Sequence, residues 1–326
     1  MALNRFESLR VLLAGFGSIG KRHGDVLEKI GVKQLACVDP SEISRTQFTE
    51  RFPEAPVYSD YVRALIEYKP DVVFLMTPTK LHIPMAIEAV TAGSHVFIEK
   101  PLSYTQDGAK ELETLAREKN RKVMVGFCFR YHDALLAAKK RIEAGEIGRV
   151  ISIRALMGEP FYQIHPEYMD MYYSKYSGAF DLVHDIDLAI WFANQDIKRV
   201  ESVYGSFSEM GMQSPDTVEM LIEFEDRLVA NVHLDFFQSP RRRTIDIIGW
   251  DGVVQIEFAS WDHATLRVWR KAAPAWEEIP FETRRNDMFE AEDSEFLDHI
   301  LEDTPVRLDI REGLKSVRAV EAVSRA

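Results

Sequence analysis

The segment Gly15-Phe16-Gly17-Ser18-Ile19-Gly20 has the pattern GxGxxG and lies between an apolar run and a helix-like one. The run before it, Val11 to Gly15, is continuous and apolar, as is typical of a strand buried on both faces of a parallel sheet. In such a turn the first glycine permits a sharp bend, the second lets the backbone approach a diphosphate, and the third lets the next helix pack closely. The N-terminus of that helix then faces the anion. The segment predicts a dinucleotide-binding turn in which all of its residues are candidate cofactor contacts.

An acidic residue lies where such a turn requires one. Asp39 follows the apolar run Leu35 to Val38, about 20 residues beyond Gly20. A carboxylate at this place accepts hydrogen bonds from the adenosine ribose hydroxyls and repels a 2′-phosphate, so the sequence favours NAD over NADP. The alternative is that Asp39 only caps a helix that starts near Ser41.

Strand-like and helix-like patterns alternate over the first 125 residues. This alternation predicts βαβ units with right-handed crossovers, and therefore a doubly wound parallel sheet. We expect residues 1–125 to form an NAD(P)-binding Rossmann domain.

The pattern changes in the second half of the chain, where strand-like runs follow one another. Val232 and Leu234 alternate with polar residues, which indicates a sheet with one apolar and one polar face. The pair Glu225-Asp226 suits a tight hairpin between two of these strands. We expect residues 126–326 to form an α/β domain for substrate binding and oligomerisation, with a large, open, mostly antiparallel sheet. The predicted helix over 310–323 is a candidate for packing back on the first domain.

Composition argues against several classes of partner. The net charge is -12, whereas nucleic acids and anionic membrane surfaces attract positively charged proteins. The apolar run Val11 to Phe16 is too short to span a bilayer, and no signal-peptide pattern precedes it. The two cysteines, Cys37 and Cys128, lie in apolar runs and are interpreted as buried thiols rather than a disulfide. We expect a cytoplasmic protein that acts on a small molecule.

Three further segments carry a family resemblance. They are Thr77-Pro78-Thr79-Lys80-Leu81-His82, Glu99-Lys100-Pro101 and Asp181-Leu182-Val183-His184-Asp185-Ile186-Asp187. Together with residues 15–20 they resemble the Gfo/Idh/MocA oxidoreductases, and the stretch from 77 to 102 is the most specific part. The resemblance implies an enzyme that transfers hydride between a nicotinamide cofactor and a secondary alcohol or ketone of a sugar, a cyclitol or a sugar derivative.

The resemblance also implies roles in cofactor binding. Glu99 and Lys100 would sit by the nicotinamide ribose, and the Lys100–Pro101 peptide is a candidate for a cis bond. Four residues would line the cofactor cleft at the carboxyl ends of the strands: Thr77, Pro78, Thr79 and His82.

Other residues are candidates for substrate binding. Arg130 and Tyr131 match a segment in which the family places an arginine that contacts substrate. Tyr162 and His165 lie in an aromatic and polar loop that could close over a sugar, and a plain packed loop is the alternative.

Oxidation of an alcohol needs a base for the hydroxyl proton. A histidine titrates near neutrality when unperturbed, so His184 is the candidate base. Lys100 would donate a hydrogen bond to the developing alkoxide. A spacing of three would keep Asp181 on the same helix face as His184, where it could orient the histidine or hold a second hydroxyl. The alternatives are that Lys100 is only a strand-end cation and that His184 is a structural histidine.

Two remaining patterns receive other interpretations. Asp185 and Asp187 do not share a helix face with the other acids in ligand geometry, so no metal site is expected. The basic run Arg241-Arg242-Arg243 is interpreted as solvated or interface-forming rather than as a phosphate clamp.

Two alternative functions stay open. One is an NAD-retaining hydrolase or isomerase that recycles hydride internally. The other is a non-catalytic NAD sensor, which the presence of Lys100 and His184 argues against, because a sensor needs no proton-transfer groups. The open sheet favours a homodimer or homotetramer over a monomer.

Overall fold

The computed structural model describes residues 5–164 and 177–323. The chain divides into two compact units. Unit 1 comprises Met1–Cys128 and Phe289–Leu314, and unit 2 comprises Phe129–Met288 and Lys315–Ala326. His165 lies outside the described residues.

Unit 1 contains a parallel sheet of six strands. The strands are β1 (Arg10–Ala14), β2 (Gln34–Val38), β3 (Val57–Tyr58), β4 (Val72–Leu75), β5 (His95–Glu99) and β6 (Val123–Gly126). Their order is β3-β2-β1-β4-β5-β6. The direction of the strand order reverses between β1 and β4, and ligands of open α/β sheets bind at the carboxyl ends of the strands at such a point. The predicted doubly wound parallel sheet is confirmed.

Five helices connect these strands. They are α1 (Ser18–Ile30), α2 (Glu42–Arg51), α3 (Tyr61–Tyr68), α4 (His82–Thr91) and α5 (Ala109–Glu118). Helix α1 ends at Gly31, whose φ of 108° lies in the left-handed region and whose N–H donates to the carbonyls of Leu27 and Glu28. This glycine therefore satisfies carbonyl groups that the end of the helix leaves open.

Unit 2 contains a mixed sheet of eight strands in the order β14-β13-β12-β11-β7-β10-β9-β8. The strands are β7 (Val150–Gly158), β8 (Ile197–Gly205), β9 (Thr217–Phe224), β10 (Val229–Asp235), β11 (Arg242–Gly249), β12 (Gly252–Phe258), β13 (His263–Arg270) and β14 (Ala273–Glu282). Only the pairing of β7 with β10 is parallel. The expectation of a mostly antiparallel sheet is confirmed.

Helices α6 (Asp133–Glu143), α7 (Phe161–Ile164) and α8 (Val183–Ala193) belong to unit 2. Two further helices, α9 (Arg285–Leu301) and α10 (Ile310–Val323), contribute residues to both units. Along the described parts of the chain, no helix is both long enough and apolar enough to cross a membrane.

The predicted burial pattern of β10 is confirmed, but the hairpin before it differs from the prediction. Val232 and Leu234 are fully buried, Asn231 is exposed and His233 is partly exposed, whereas Asp235 at the end of the strand is buried. The β9–β10 connection spans residues 225–228 rather than a two-residue turn. The Leu228 carbonyl accepts from the Phe224 N–H, and Arg227 has a φ of 50° in the left-handed region, so the turn contains one residue more than predicted.

Both cysteines are buried and neither forms a disulfide, as predicted. Cys37 lies in β2, between β1 and the edge strand β3, and Cys128 follows β6. They act as small apolar groups in the core.

Candidate cofactor and active site

The glycine-rich turn connects β1 to α1. Gly15 has a φ of +97°, and a Cβ there would lie 2.5 Å from the Met76 carbonyl oxygen. A Cβ on Gly20 would collide with the Gly15 carbonyl oxygen. A Cβ on Gly17 would meet nothing within 4 Å. The fold itself therefore requires Gly15 and Gly20, whereas the open space above Gly17 suits the close approach of a ligand.

The start of α1 fits an anionic group. Gly17 is the N-cap residue and offers no side-chain cap, and the first turn carries no acidic residue. Backbone N–H groups at such an end have no intrahelical partner and carry partial positive charge. With the open space above Gly17, this helix end has the features that hold the diphosphate of a dinucleotide.

Asp39 ties the end of β2 to the glycine-rich turn. Its carboxylate is largely buried, at 8% exposure, and accepts from the N–H groups of Phe16 and Ser41, each at 2.8 Å. The N-cap of α2 is Ser41, whose hydroxyl accepts from the Ser44 N–H, so Asp39 does not serve as that cap. A carboxylate offers about four acceptor sites, and two backbone contacts leave capacity for ribose hydroxyls.

Arg45 is a residue near this carboxylate that the sequence analysis missed. Its Nη1 donates to the carbonyl oxygens of Asp39 and Pro40, both at 2.8 Å. An arginine near this position can accommodate a 2′-phosphate, while the Asp39 carboxylate repels one. The end of β2 therefore carries both a carboxylate and, bound to its backbone, a guanidinium.

The carboxyl end of β4 leads into the predicted segment from Thr77 to His82. Thr77 Oγ1 is buried and has no hydrogen-bond partner among the described residues. Pro78 is exposed, and Thr79 begins a short 3₁₀ turn. The unpaired hydroxyl of Thr77 at a strand end fits a contact with a bound nucleotide, because buried polar groups are rarely left without a partner.

His82 connects this segment to the next strand end. The side chain is buried, with Nδ1 2.8 Å from the Pro101 carbonyl oxygen and Nε2 2.8 Å from the Thr77 carbonyl oxygen. Burial lowers the pKa of His82, and the two carbonyl contacts oppose that shift. Since both ring nitrogens face backbone carbonyls, His82 is placed to hold two loops together.

The carboxyl end of β5 carries the Glu-Lys-Pro motif. The Lys100–Pro101 peptide is cis, as predicted. Glu99 is 7% exposed, and its Oε2 accepts from the Lys100 N–H at 2.8 Å. Lys100 is half-buried at the end of the strand.

In unit 2, His184 is the second residue of α8. It is buried, and its ring centroid lies 4.9 Å from that of Phe129. Asp181 ends a separate 3₁₀ turn, and Leu182, with a ψ of 33°, breaks the path into α8. The prediction that Asp181 and His184 share one helix face is therefore wrong, because the backbone between them is not helical.

The two aspartates that follow His184 are held by buried arginines. Asp185 Oδ2 accepts from Arg243 Nη2 at 2.8 Å. Asp187 accepts from Arg130 Nη2 at 2.6 Å and from Nε at 2.8 Å, which makes a bidentate pair. Both pairs are almost completely buried. These contacts anchor α8 and therefore fix the backbone that carries His184.

The interpretation of the basic run as solvated or interface-forming is wrong for Arg243. This residue is 1% exposed because its side chain points inward in β11 with Ile245 and Ile247. Its guanidinium lies 4.2 Å from the Phe129 ring centroid, and Asp185 compensates its charge. Arg241 is paired with Glu159, and Arg242 alone among the three arginines is exposed.

The remaining predicted substrate contacts lie in different surroundings. Arg130 is buried, and Tyr131 is half-buried. Tyr162 is 42% exposed, and its hydroxyl accepts from Gln163 Nε2 at 2.6 Å. Across the described residues, no set of three histidine, cysteine or acidic side chains converges in a way that could hold a metal ion.

Two family models match the chain. Residues 9–127 match a model described as an oxidoreductase family with an NAD-binding Rossmann fold. Residues 135–255 match a model described as the GFO/IDH/MocA C-terminal domain. Unit 1 is therefore an NAD-binding domain, which agrees with the geometry of its glycine-rich turn.

Individual proteins are also similar to this chain. The scyllo-inositol 2-dehydrogenase (NAD(+)) of Bacillus subtilis is 26% identical, over 93% of this chain and 90% of that protein. The uncharacterized oxidoreductase YrbE of the same organism is 27% identical, over 67% of this chain and 64% of that protein. The crystal structure of scyllo-inositol dehydrogenase from Lactobacillus casei, with NAD(H) and scyllo-inositol, superposes with a TM-score of 0.83 at 21% identity. That superposition covers 98% of this chain and 96% of that one, and at this identity it shows the fold alone.

Gly17→Ala and Gly20→Ala are expected to act on different properties. The first adds a methyl group to open space, so the free energy of unfolding changes by less than about 0.5 kcal/mol while NADH binding weakens about tenfold or more. The second collides with the Gly15 carbonyl and destabilises the fold by about 1–3 kcal/mol. Denaturant unfolding without nucleotide and a fluorescence titration with NADH measure the two effects. Equal stability losses in both variants would contradict this assignment.

Asp39→Asn is expected to move the nucleotide preference towards NADPH. The change removes the negative charge that repels a 2′-phosphate and leaves Arg45 in place, so the ratio of NADPH to NADH affinity rises by about tenfold, or 1.4 kcal/mol. Addition of Arg45→Gln should remove most of that gain. Titrations of the wild type and both variants with each nucleotide provide the ratios, and an unchanged ratio in Asp39→Asn would show that another group selects NAD.

Arg243→Met is expected to destabilise the protein by about 3–5 kcal/mol, because it leaves Asp185 buried without its counter-charge. Arg242→Met, at the exposed neighbouring position, is the matched control and should change stability by less than about 0.5 kcal/mol. Denaturant unfolding measures both. Similar losses in the two variants would mean that the run is important as a whole and not through the buried pair.

Proposed function

Because the chain belongs to the Gfo/Idh/MocA oxidoreductase family, we propose that it is an NAD-dependent dehydrogenase of a cyclitol, a sugar or a sugar derivative. The observation that carries this proposal is the combination of the NAD-binding turn with Glu99 and Lys100 at the carboxyl end of β5 in the same unit. A domain that only senses NAD needs no ammonium group at this strand end. The name of the Bacillus subtilis relative supports a polyhydroxylated ring as the first substrate to test.

The cofactor and the chain have separate tasks in this proposal. Bound NAD supplies the nicotinamide that accepts the hydride. The helix end at Gly17 and the carboxylate of Asp39 bind the diphosphate and the adenosine ribose. Thr77 and Glu99 orient the remainder of the nucleotide from the ends of β4 and β5, and Thr79 and Pro78 complete that wall of the cleft.

Lys100 and His184 handle the proton in this proposal. The Lys100 ammonium donates a hydrogen bond to the substrate oxygen as negative charge develops on it. The His184 imidazole accepts the hydroxyl proton. Asp181 lies outside the helix of His184 and is assigned to a second substrate hydroxyl, because the turn that carries it ends before α8 begins.

Substrate contacts are assigned to Tyr131 and Tyr162, and Arg130 acts less directly. Its Nε and Nη2 are both hydrogen-bonded to Asp187, so its first effect is on the position of α8. His165 is kept as a proposed contact from the sequence alone.

We also infer that the chain forms a homodimer or homotetramer. The outward face of the unit 2 sheet presents apolar side chains at Val203, Leu221 and Val229, which are 61%, 47% and 41% exposed. Register places Val203 and Leu221 on the same face as Val229. In the strand register each of these side chains faces a polar residue of the neighbouring strand, so the face mixes apolar and polar groups. Interfaces between protein chains commonly combine the two in this way.

Lys100→Met and His184→Asn are expected to lower kcat by about 10²- to 10⁴-fold with scyllo-inositol or another active polyol, because each removes a group that acts on the proton in the transition state. NADH affinity should stay within about threefold, or 0.65 kcal/mol, of the wild type. Lys33→Met and His263→Asn, at exposed positions, are the matched controls. Absorbance at the nicotinamide band measures turnover over a panel of polyols with added NAD.

The outcomes separate the candidate functions. Turnover that disappears in both variants and persists in both controls supports the dehydrogenase. Stoichiometric nucleotide released on denaturation, with no exchange of added NAD, would favour the recycling hydrolase or isomerase, which the dehydrogenase relatives do not favour. If the protein binds NADH but turns over no polyol, and if all variants bind NADH equally, the result would support the non-catalytic NAD sensor.

A further inference from the structure

A histidine with no role in the sequence analysis lies fully buried in α1. His23 follows the glycine-rich turn by one helical turn and is 0% exposed. Its ring packs against Phe74 of β4, Phe97 of β5 and Phe289 of α9, with centroid separations of 5.8, 5.3 and 5.2 Å. Interactions between charges are strong in surroundings of this kind, because few polar groups are present to screen them.

Both ring nitrogens of His23 face carboxyl groups. Nδ1 lies 3.0 Å from both oxygens of Asp293, and Nε2 lies 3.4 Å from Glu99 Oε1. Burial lowers the pKa of His23, but Asp293 and Glu99 outweigh it and raise the pKa to about 10. His23 is therefore an imidazolium at neutral pH, and each nitrogen donates to a carboxylate.

A third acid lies beside this group without adding charge. Glu292 of α9 is fully buried, and neither of its carboxyl oxygens has a hydrogen-bond partner among the described residues. Burial, together with the charges of Glu99 and Asp293, raises the pKa of Glu292 well above its usual range. The charged groups that face His23 are thus Asp293 from α9 and Glu99 from β5, and β4 contributes only an aromatic ring.

The contacts continue from His23 to the Glu-Lys-Pro motif. Glu99 binds His23 through Oε1 and accepts the Lys100 N–H through Oε2, so Asp293, His23, Glu99 and the Lys100 backbone form one continuous series. Replacement of a buried ion pair by apolar side chains is often neutral or stabilising. Stability alone therefore does not explain a buried imidazolium here. The contacts of Glu99 give a specific reason, because they fix the orientation of its side chain.

We propose that His23 is a positioning residue of the cofactor site and that it holds the Glu99 carboxyl group in a fixed orientation at the nicotinamide end of the nucleotide. Asp293 fixes the imidazolium from the other side. This inference rests on the proposed role of Glu99 beside the nicotinamide ribose. It assigns to α9, a helix distant in sequence, a part in cofactor binding.

A double-mutant cycle with NADH as the probe tests the inference without any substrate. His23→Gln and Glu99→Gln are each expected to weaken NADH binding on the order of tenfold, and the double variant by the same tenfold, because both changes remove one interaction. His95→Gln is the matched control, since His95 lies at the opposite end of β5 and bonds Arg121 and Lys122 instead; its affinity should stay within about twofold. A hundredfold loss in the double variant, or an unchanged affinity in His23→Gln, would overturn the inference.

A titration of the wild type by NMR with ¹⁵N-labelled histidine covers the case in which His23→Gln does not fold. Both His23 nitrogens should remain protonated up to a midpoint near pH 10. Asp293→Asn should lower this midpoint towards the ordinary histidine range, since it removes one counter-charge, and should weaken NADH binding as His23→Gln does. A neutral His23 ring at pH 7.5 would contradict the inference. Failure of the wild type to bind NADH would instead refute the cofactor site itself.

Discussion

Compensation of charge inside an apolar interior is the constraint on which both candidate sites depend. His23 stays charged against the aromatic rings of unit 1 because Asp293 and Glu99 lie within hydrogen-bond distance. Arg243 stays buried in unit 2 because Asp185 accepts from it. An isolated ion in these surroundings would carry a penalty of several kcal/mol, so the partners must lie at fixed positions. Each pair thereby fixes the backbone of a residue proposed to take part in the reaction.

The two units apply this constraint in the same way to different elements. In unit 1, the series from Asp293 through His23 ends at the carboxyl end of β5, where Lys100 follows. In unit 2, Arg243 binds Asp185 and Arg130 binds Asp187. Both aspartates lie close after His184 in α8. The residues with proposed chemical roles are thus supported by neighbours that touch neither cofactor nor substrate. Such support keeps a reacting group in place, and displacements of about 1 Å can change rates on the order of a hundredfold.

Patterns of local origin were predicted well. The glycine-rich turn and the acid after β2 follow from short-range sterics and hydrogen bonding, which act through neighbouring residues. The parallel sheet followed from alternating strand and helix patterns. The roles of Arg45 and His23 were missed, because an arginine or a histidine in an amphipathic helix gives no sign of the carbonyl or carboxyl group that it will meet. Arg243 was misread, because a run of three basic residues on a strand hides the alternation that sends the third one inward.

The sequence by itself determined the Rossmann class, the preference for NAD and the location of the Glu-Lys-Pro motif. Each follows from a pattern along the chain: the alternation of strands and helices, the acid about 20 residues after the glycine-rich turn, and the motif itself. Only the tertiary structure decided which charges pair. His23 meets an acid about 270 residues away, and Arg243 meets one about 60 residues away; burial selects these partners and the local pattern does not. It also decided that Asp181 and His184 lie in separate turns. Leu182 between them packs against a cluster of Phe161, Met212 and Phe236 and has a non-helical ψ, which the spacing alone does not reveal. Long-range electrostatics and packing thus determined which buried charges hold the site residues in place. Short-range sterics determined the local turns and motifs that carry those residues.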